Sequence, residues 1–247
     1  MIELRNLTKS YLTLKGRKYV FRNLTFTVPP GHNIALIGRN GAGKSTLMRL
    51  LCGLDAPDSG RIVTDKRISW PVGLAGGFQG SLTGRQNAKF VCRVQGAEGT
   101  EMQRRIEFVE QFAEIGPAFD EQVKTYSTGM RARVAFGLSL AFDFDYYLID
   151  EAMSVGDAHF RDKAAKAFKD KVGKANVILV THGMGQVRKM CDMVALLDNG
   201  QVTCFDNVEA GIQAYLQLGA ASSDRGMAPA PTERRQEQET VIQEETQ

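Results

Sequence analysis

The chain has 247 residues, 24% charged and 43% hydrophobic, with a formal net charge of +3 at pH 7. This composition excludes collagen-like, disordered and disulfide-scaffold classes, and a chain of this length folds without staples as one large domain or two small ones. A balance of 31 basic against 28 acidic residues gives no reason to expect nucleic acid as a partner. The longest apolar run, Val134 to Phe142, has nine residues, whereas a membrane span needs about 20. The N-terminus, Met1-Ile2-Glu3-Leu4-Arg5, lacks the pattern of a signal peptide. Cys52, Cys92, Cys191 and Cys204 lie far apart with no C-x-x-C pair. Free thiols in a reducing, cytosolic compartment are therefore expected rather than a zinc site.

In chain order, β-type segments come first: Ile2–Leu7, Leu24–Val28, and Asn33–Ile37 after the breaker Pro29-Pro30-Gly31. Ser45–Leu54 reads as a helix with apolar Leu47, Met48, Leu50 and Leu51. Arg61–Val63 and Arg67–Trp70 read as further strands. From about Thr83 to Phe142 the texture is helical, with Ile106, Val109, Phe112 and Ala113 at helical spacing. Strand-like runs return at Tyr146–Ile149, Val177–Thr181 and Met193–Leu197, the first two separated by the helical Ala158–Lys171. Strands, a helical block and then a βαβ pattern predict an α/β core carrying a helical insert. From Gly219 onward, apolar residues nearly vanish and six acids stand against three arginines, which predicts a disordered polar tail.

The most informative stretch is GRNGAGKST: Gly38, Arg39, Asn40, Gly41, Ala42, Gly43, Lys44, Ser45 and Thr46. It matches G-x-x-x-x-G-K-[ST] and stands between a predicted buried strand and a helix, as a phosphate-binding loop must. Glycines let backbone N–H groups curl around an anion, and the following helix points its positive end at it. Lys44 would reach the β- and γ-phosphates, and the Ser45 hydroxyl would ligate Mg²⁺. From average residue usage, a chance match in a chain this long is on the order of one in a hundred. A metal-bound phosphate also needs an acid, and the apolar Tyr146-Tyr147-Leu148-Ile149 ends in Asp150-Glu151. Asp150 would orient the metal through its waters, and Glu151 would polarise an attacking water. His182, directly after Val177–Thr181, stands at the strand end where α/β sheets bind ligands, as a γ-phosphate sensor would.

About 105 residues separate Lys44 from Asp150, and Tyr126-Ser127-Thr128-Gly129-Met130 precedes the acidic strand. In this order of motifs, residues 1–216 resemble the ATP-binding subunits of ABC transporters. The family's LSGGQ signature stands here as YSTGM, keeping Ser127 and Gly129; the resemblance implies that both face the γ-phosphate held by a second copy. It further implies that Tyr11 stacks on adenine, with Tyr19 a competitor, and that Asp157 of Ser154-Val155-Gly156-Asp157 bridges a dimer interface. A metal-binding and coupling glutamine is expected between the phosphate-loop helix and the helical block. Gln79 is the nearest candidate, although an ungapped alignment puts Leu74 there.

The fold implied is an α/β P-loop NTPase core, a mixed sheet with an N-terminal antiparallel β part, plus a helical subdomain at about 83–142 within a domain spanning 1–218. The cofactors implied are ATP and Mg²⁺, with Lys44, Glu151 and His182 catalytic and Ser45, Asp150 and Gln79 on the metal. Ser69–Asn87, YSTGM and Glu151–Asp157 are similar to the capsular polysaccharide exporters, with teichoic-acid and O-antigen exporters as close relatives. About 30 polar residues follow Leu218, too few for the folded carbohydrate-binding domain of some O-antigen ATPases. The implied protein is a homodimer on the cytoplasmic face of the inner membrane. It would drive a separate multi-span permease, with further envelope export proteins as partners, docking through the Gly73–Arg85 loop. The main rival is a soluble ABC ATPase acting on nucleic acid or ribosomes; one phosphate loop, no heptad run and no zinc pattern argue against it.

Overall fold

A computed structural model of the chain describes residues 1–73, 77–150 and 157–223. In chain order these begin with β1 (Ile2–Thr13), β2 (Gly16–Val28), β3 (Ile34–Gly38), α1 (Lys44–Leu51), β4 (Ser59–Thr64) and β5 (Ile68–Pro71). The helical block follows as α2 (Gly84–Val94), α3 (Gly99–Ala113) and α4 (Thr128–Leu140), with two short 3-10 turns between the last two. The chain then returns to the core through β6 (Tyr146–Asp150), α5 (Ala158–Val172), β7 (Asn176–Val180), α6 (Met184–Met190), β8 (Met193–Asp198), β9 (Gln201–Phe205) and α7 (Val208–Ser223).

β1, β2 and β4 form an antiparallel sheet in the order β2-β1-β4, and a second sheet runs β5-β6-β7-β3-β8-β9. The second sheet is parallel except for the closing β8–β9 hairpin. Alternation along its strands divides the interior in two, because successive side chains leave opposite faces. Ala35, Ile37, Tyr147, Ile149, Val177, Leu179, Val194 and Leu196 point into one core, which the helices cover. Ile34, Leu36, Tyr146, Leu148, Ile178, Val180, Ala195 and Leu197 point into the other, closed by α1 and the antiparallel sheet. Each such buried Val, Leu or Ile contributes about 1.5–3 kcal/mol. The helical core is rich in aromatics: Phe112, Phe136, Phe160 and Phe168 meet at centroid distances of 5.5–6.5 Å.

Several boundaries depart from sequence expectation. The two hairpin strands reach well beyond Ile2–Leu7 and Leu24–Val28. Their outer ends, around Leu12 and Gly16–Tyr19, are exposed, so no buried alternation marks them. α1 ends at Leu51 rather than Leu54, because the Gly53 and Leu54 N–H groups fold back onto the Leu50 and Arg49 carbonyls at 3.2 and 2.9 Å. α7 runs through Ser223, five residues beyond the expected domain end at 218. Ala220 and Ala221 are strong helix formers and carry it past Gly219. Residues 224–247 lie outside the described residues.

Candidate functional site

The loop between β3 and α1 is built from its own sequence. The Ala42 N–H donates to the Arg39 carbonyl at 3.1 Å, and the Leu47 N–H donates to the Gly43 carbonyl at 2.8 Å, starting the helix. Lys44 is 9% exposed. Its ammonium donates to the Gly38 and Arg39 carbonyls at 2.7 and 3.1 Å, which draws it across the loop. Backbone N–H groups, a helix N-terminus and a desolvated ammonium together make an anion cradle.

This loop lines a cleft of about 770 Å³. Residues from distant parts of the chain share it: Tyr11 and Tyr19 from the hairpin, Asp150 from the end of β6 and His182 beyond β7. Parallel pairing sets Asp150 beside Val180, so the acid and the histidine arrive at the same end of adjacent strands. The cross-strand pairs Tyr11–Lys18 and Ser10–Tyr19 send the two tyrosines to opposite faces of the hairpin. The Tyr11 hydroxyl donates to Asp55 at 2.8 Å and accepts from Arg49 at 3.1 Å. Lys9 donates to the same carboxylate at 2.7 Å. The Lys9 ammonium, helped by the Tyr11 hydroxyl and the Ala56 N–H, holds the Asp55 carboxyl below the usual carboxylate range. Tyr19 is 39% exposed and carries Arg22 over its ring at 3.5 Å.

Other expected site residues lie away from the cleft lining. Ser127 caps α4, its hydroxyl accepting the Met130 N–H at 3.1 Å. A Cβ on Gly129 would meet nothing nearer than the Ser127 hydroxyl at 3.8 Å, so nothing described in this chain requires glycine there. Asp157 caps α5 through the Phe160 N–H at 2.9 Å and pairs with Arg133 of α4 at 2.5 Å. The Phe160 N–H and then Arg133 lower its carboxyl pKa. Gln79 has its backbone N–H and carbonyl clamped by Asn87, at 2.8 and 3.1 Å, and its side-chain amide turned to Ser81. The structure does not bring it to the cleft. Glu151 and Leu74 lie outside the described residues.

The cleft also contains residues that the sequence reading passed over: Lys18, Val20, Val180, Asp198, Asn199 and Gly200. Asp198 ends β8, and Asn199 and Gly200 form the β8–β9 turn, both with positive φ, 46° and 76°. An Asn-Gly pair between two apolar runs is a hairpin signal that could have found it.

Comparison with known proteins agrees with this geometry. The ABC transporter family matches residues 21–154, more than half of the chain. The polysialic acid transport ATP-binding protein KpsT of Escherichia coli is 53% identical over 216 residues, covering 87% of this chain and 96% of its own length. The capsule polysaccharide export ATP-binding protein CtrD of Neisseria meningitidis serogroup B is 40% identical over 218 residues, covering 88% and 100%. Among solved structures, a dimeric, post-hydrolysis state of the ATP-binding cassette MJ0796 bound to ADP and Pi shares the fold. Its TM-score is 0.66 at 22% identity, covering 83% of this chain and 98% of that one. A cleft lined by the Gly38–Thr46 loop, Asp150 and His182, joined to sequence matches that run nearly the full length of these relatives, places the chain in the ABC transporter family.

Proposed function

We propose that this chain is the ATP-hydrolysing subunit of an exporter that moves capsular polysaccharide across the inner membrane. The observation that carries the catalytic part is the convergence of the Gly38–Thr46 loop, Asp150 and His182 on one cleft, with Tyr11 at its border. The glycan part is supported by KpsT and CtrD, which match over 87% and 88% of this chain. In this reading Tyr11 stacks on adenine and the loop amides hold the phosphates. Lys44 leaves the Gly38 and Arg39 carbonyls for the β- and γ-phosphates, Glu151 orients the attacking water, and His182 contacts the γ-phosphate.

The cleft suits a nucleotide phosphate with its metal. Ser45 and Asp150 both line it. No group of three or more His, Cys, Asp or Glu that could hold a metal gathers among the described residues. One hydroxyl and one carboxylate suit an ion that keeps waters and takes phosphate oxygens. Ser45 and Asp150 would hold Mg²⁺, which would neutralise phosphate charge when bound.

Ser127, Gly129 and Asp157 belong in this reading to the surface that meets a second copy. The exposed Ser127 and the open space at Gly129 would receive the partner's γ-phosphate, so the working unit is a homodimer closed around two nucleotides. No helix among the described residues is long and apolar enough to cross a membrane. A separate permease, met through the 73–85 loop, would supply the path, with this subunit on its cytoplasmic face. Residues 1–218 would form the ATPase domain, with the subdomain of α2, α3 and α4 inserted in it.

Glu151→Gln tests the proposal. The variant should bind ATP without hydrolysing it, accumulate as an ATP-bound dimer, and leave capsular glycan inside the cell. Glycan export at the wild-type rate would overturn the assignment. Recovery as a nucleic-acid-stimulated ATPase with no permease attached would instead favour the rival class.

A further inference from the structure

Tyr11 is fastened by two charged side chains, and both come from α1 and the turn that ends it. Arg49 lies in the last turn of α1, the helix that begins at Lys44. The chain closes off that helix by donating the Leu54 and Asp55 N–H groups to the Arg49 carbonyl, at 2.9 and 3.2 Å. Residues 55–58 then run against β1. The Asp58 N–H donates to the Thr8 carbonyl at 2.8 Å. Lys9, 8% exposed, reaches one Asp55 carboxylate oxygen and the Ala56 carbonyl, each at 2.7 Å. The Tyr11 hydroxyl bonds the other Asp55 oxygen at 2.8 Å and Arg49 at 3.1 Å. Chemistry decides the direction of both bonds. The Asp55 carboxyl, held low by the Lys9 ammonium, is ionised near neutrality and only accepts, whereas a guanidinium only donates. The phenol therefore gives its one proton to Asp55 and accepts from Arg49. Each bond has a charged partner, which makes it the stronger kind, and a tyrosine held at its far end cannot swing between χ1 rotamers.

We propose that Asp55 and Arg49 are positioning residues for Tyr11: they hold its ring at the cleft border before nucleotide arrives. Because α1 carries both Lys44 and Arg49, the same helix sets the place of the adenine platform and of the phosphate contacts. The inference rests on Tyr11 being that platform. A loose tyrosine would lose its rotamer freedom on stacking, and immobilising one such side chain weakens binding about two- to tenfold; a ring already held escapes that loss. The base makes the same contact in the ground state and in the transition state. The effect therefore falls on KM and leaves kcat alone.

The test is ATP hydrolysis by the purified full chain as wild type, Tyr11→Phe, Tyr11→Ala, Asp55→Ala and the double variant Tyr11→Phe/Asp55→Ala, with thermal melts of each. Inorganic tripolyphosphate with Mg²⁺, which has phosphates and no base, serves as a competitive inhibitor. Tyr11→Phe keeps the ring and the Lys9–Asp55 pair. It should raise KM for ATP about two- to tenfold with kcat unchanged, and the inhibition constant for tripolyphosphate should not move. In the Asp55→Ala background the same substitution should have a smaller effect, because one of the two bonds it removes is already gone. A raised KM in Tyr11→Ala beside a wild-type KM in Tyr11→Phe overturns this proposal alone. Weaker inhibition of Tyr11→Phe by tripolyphosphate, in step with the change for ATP, also overturns it, since the hydroxyl then acts on the phosphate end. An equal loss from Tyr11→Phe in both backgrounds overturns the part given to Asp55. If Asp55→Ala does not melt cooperatively, Tyr11→Phe decides by itself. A wild-type KM in Tyr11→Ala overturns the adenine reading and this proposal with it.

Discussion

Replacing Gly43 with alanine should destabilise the nucleotide-free chain more than the same change at Gly41. The two glycines stand two residues apart in the Gly38–Thr46 loop, and both have positive φ, 108° and 81°. An alanine forced into that region costs about 1–2 kcal/mol at either position. The gain from a less flexible unfolded chain, about 0.4–1 kcal/mol, is common to both and cancels in the comparison. Surroundings make the difference. A Cβ on Gly41 would meet nothing within 4 Å, whereas one on Gly43 would fall 2.6 Å from Val20 Cγ1 and 2.8 Å from Phe21 Cζ. Phe21 is 0% exposed, so its ring cannot swing aside without disturbing the core beneath the antiparallel sheet. Overpacking of this kind adds about 1–3 kcal/mol. The sum is about 2–5 kcal/mol for Gly43→Ala against about 1–2 kcal/mol for Gly41→Ala. A domain of this size loses roughly 2–4 °C per kcal/mol. Melts followed by far-ultraviolet circular dichroism should therefore drop by roughly 4–20 °C and roughly 2–8 °C respectively. Equal melting temperatures for the two variants would refute the reasoning, since the packing of the hairpin against the loop would then carry no energy.

Two further outcomes follow from individual side-chain contacts. Ser127→Ala removes the oxygen that accepts the Met130 N–H and should cost about 1 kcal/mol in urea denaturation. If Ser127 also meets a second copy's phosphate, ATP hydrolysis should fall far more than that cap accounts for, and a loss no larger than the stability change would count against the dimer surface. Asp55→Asn breaks the contact with Lys9 that holds the Asp55 carboxyl below its ordinary value of 3.8. A lowered native pKa means that the unfolded chain binds more protons, so this contribution is full above about pH 4 and fades as the pH falls through the lowered value. Urea midpoints of wild type and Asp55→Asn should differ near neutrality and converge in acid; a gap that stays constant down to pH 3 would contradict the assignment.

How much of the site was legible in the sequence depends on how local each part is. The nine residues from Gly38 to Thr46 are contiguous, so the glycines, lysine and hydroxyls on which the proposed phosphate binding rests can be read without the rest of the fold. Asp150 was legible for a similar reason, as an acid ending an apolar strand. The helical block could be read from periodicity, although the end of α1 could not, because backbone closure decides it within a turn, and α7 had no reading from the sequence. Gln79 shows the opposite case: its residue type and place in the chain suggested a metal ligand, whereas the contacts that fix its backbone come from Asn87, eight residues on, and nothing in the local sequence announces them. The sequence alone therefore determined the chemistry of the anion cradle. Only the tertiary structure decided what stands around it. Parallel pairing of β6 with β7 brings Asp150 and His182 to one end, the hairpin delivers Tyr11 and Tyr19, the β8–β9 turn adds Asn199 and Gly200, and α7 sets Tyr215 against His182. The physical reason is that these contacts join residues far apart in the chain, and periodicity records which face of an element is buried but not which element it will meet.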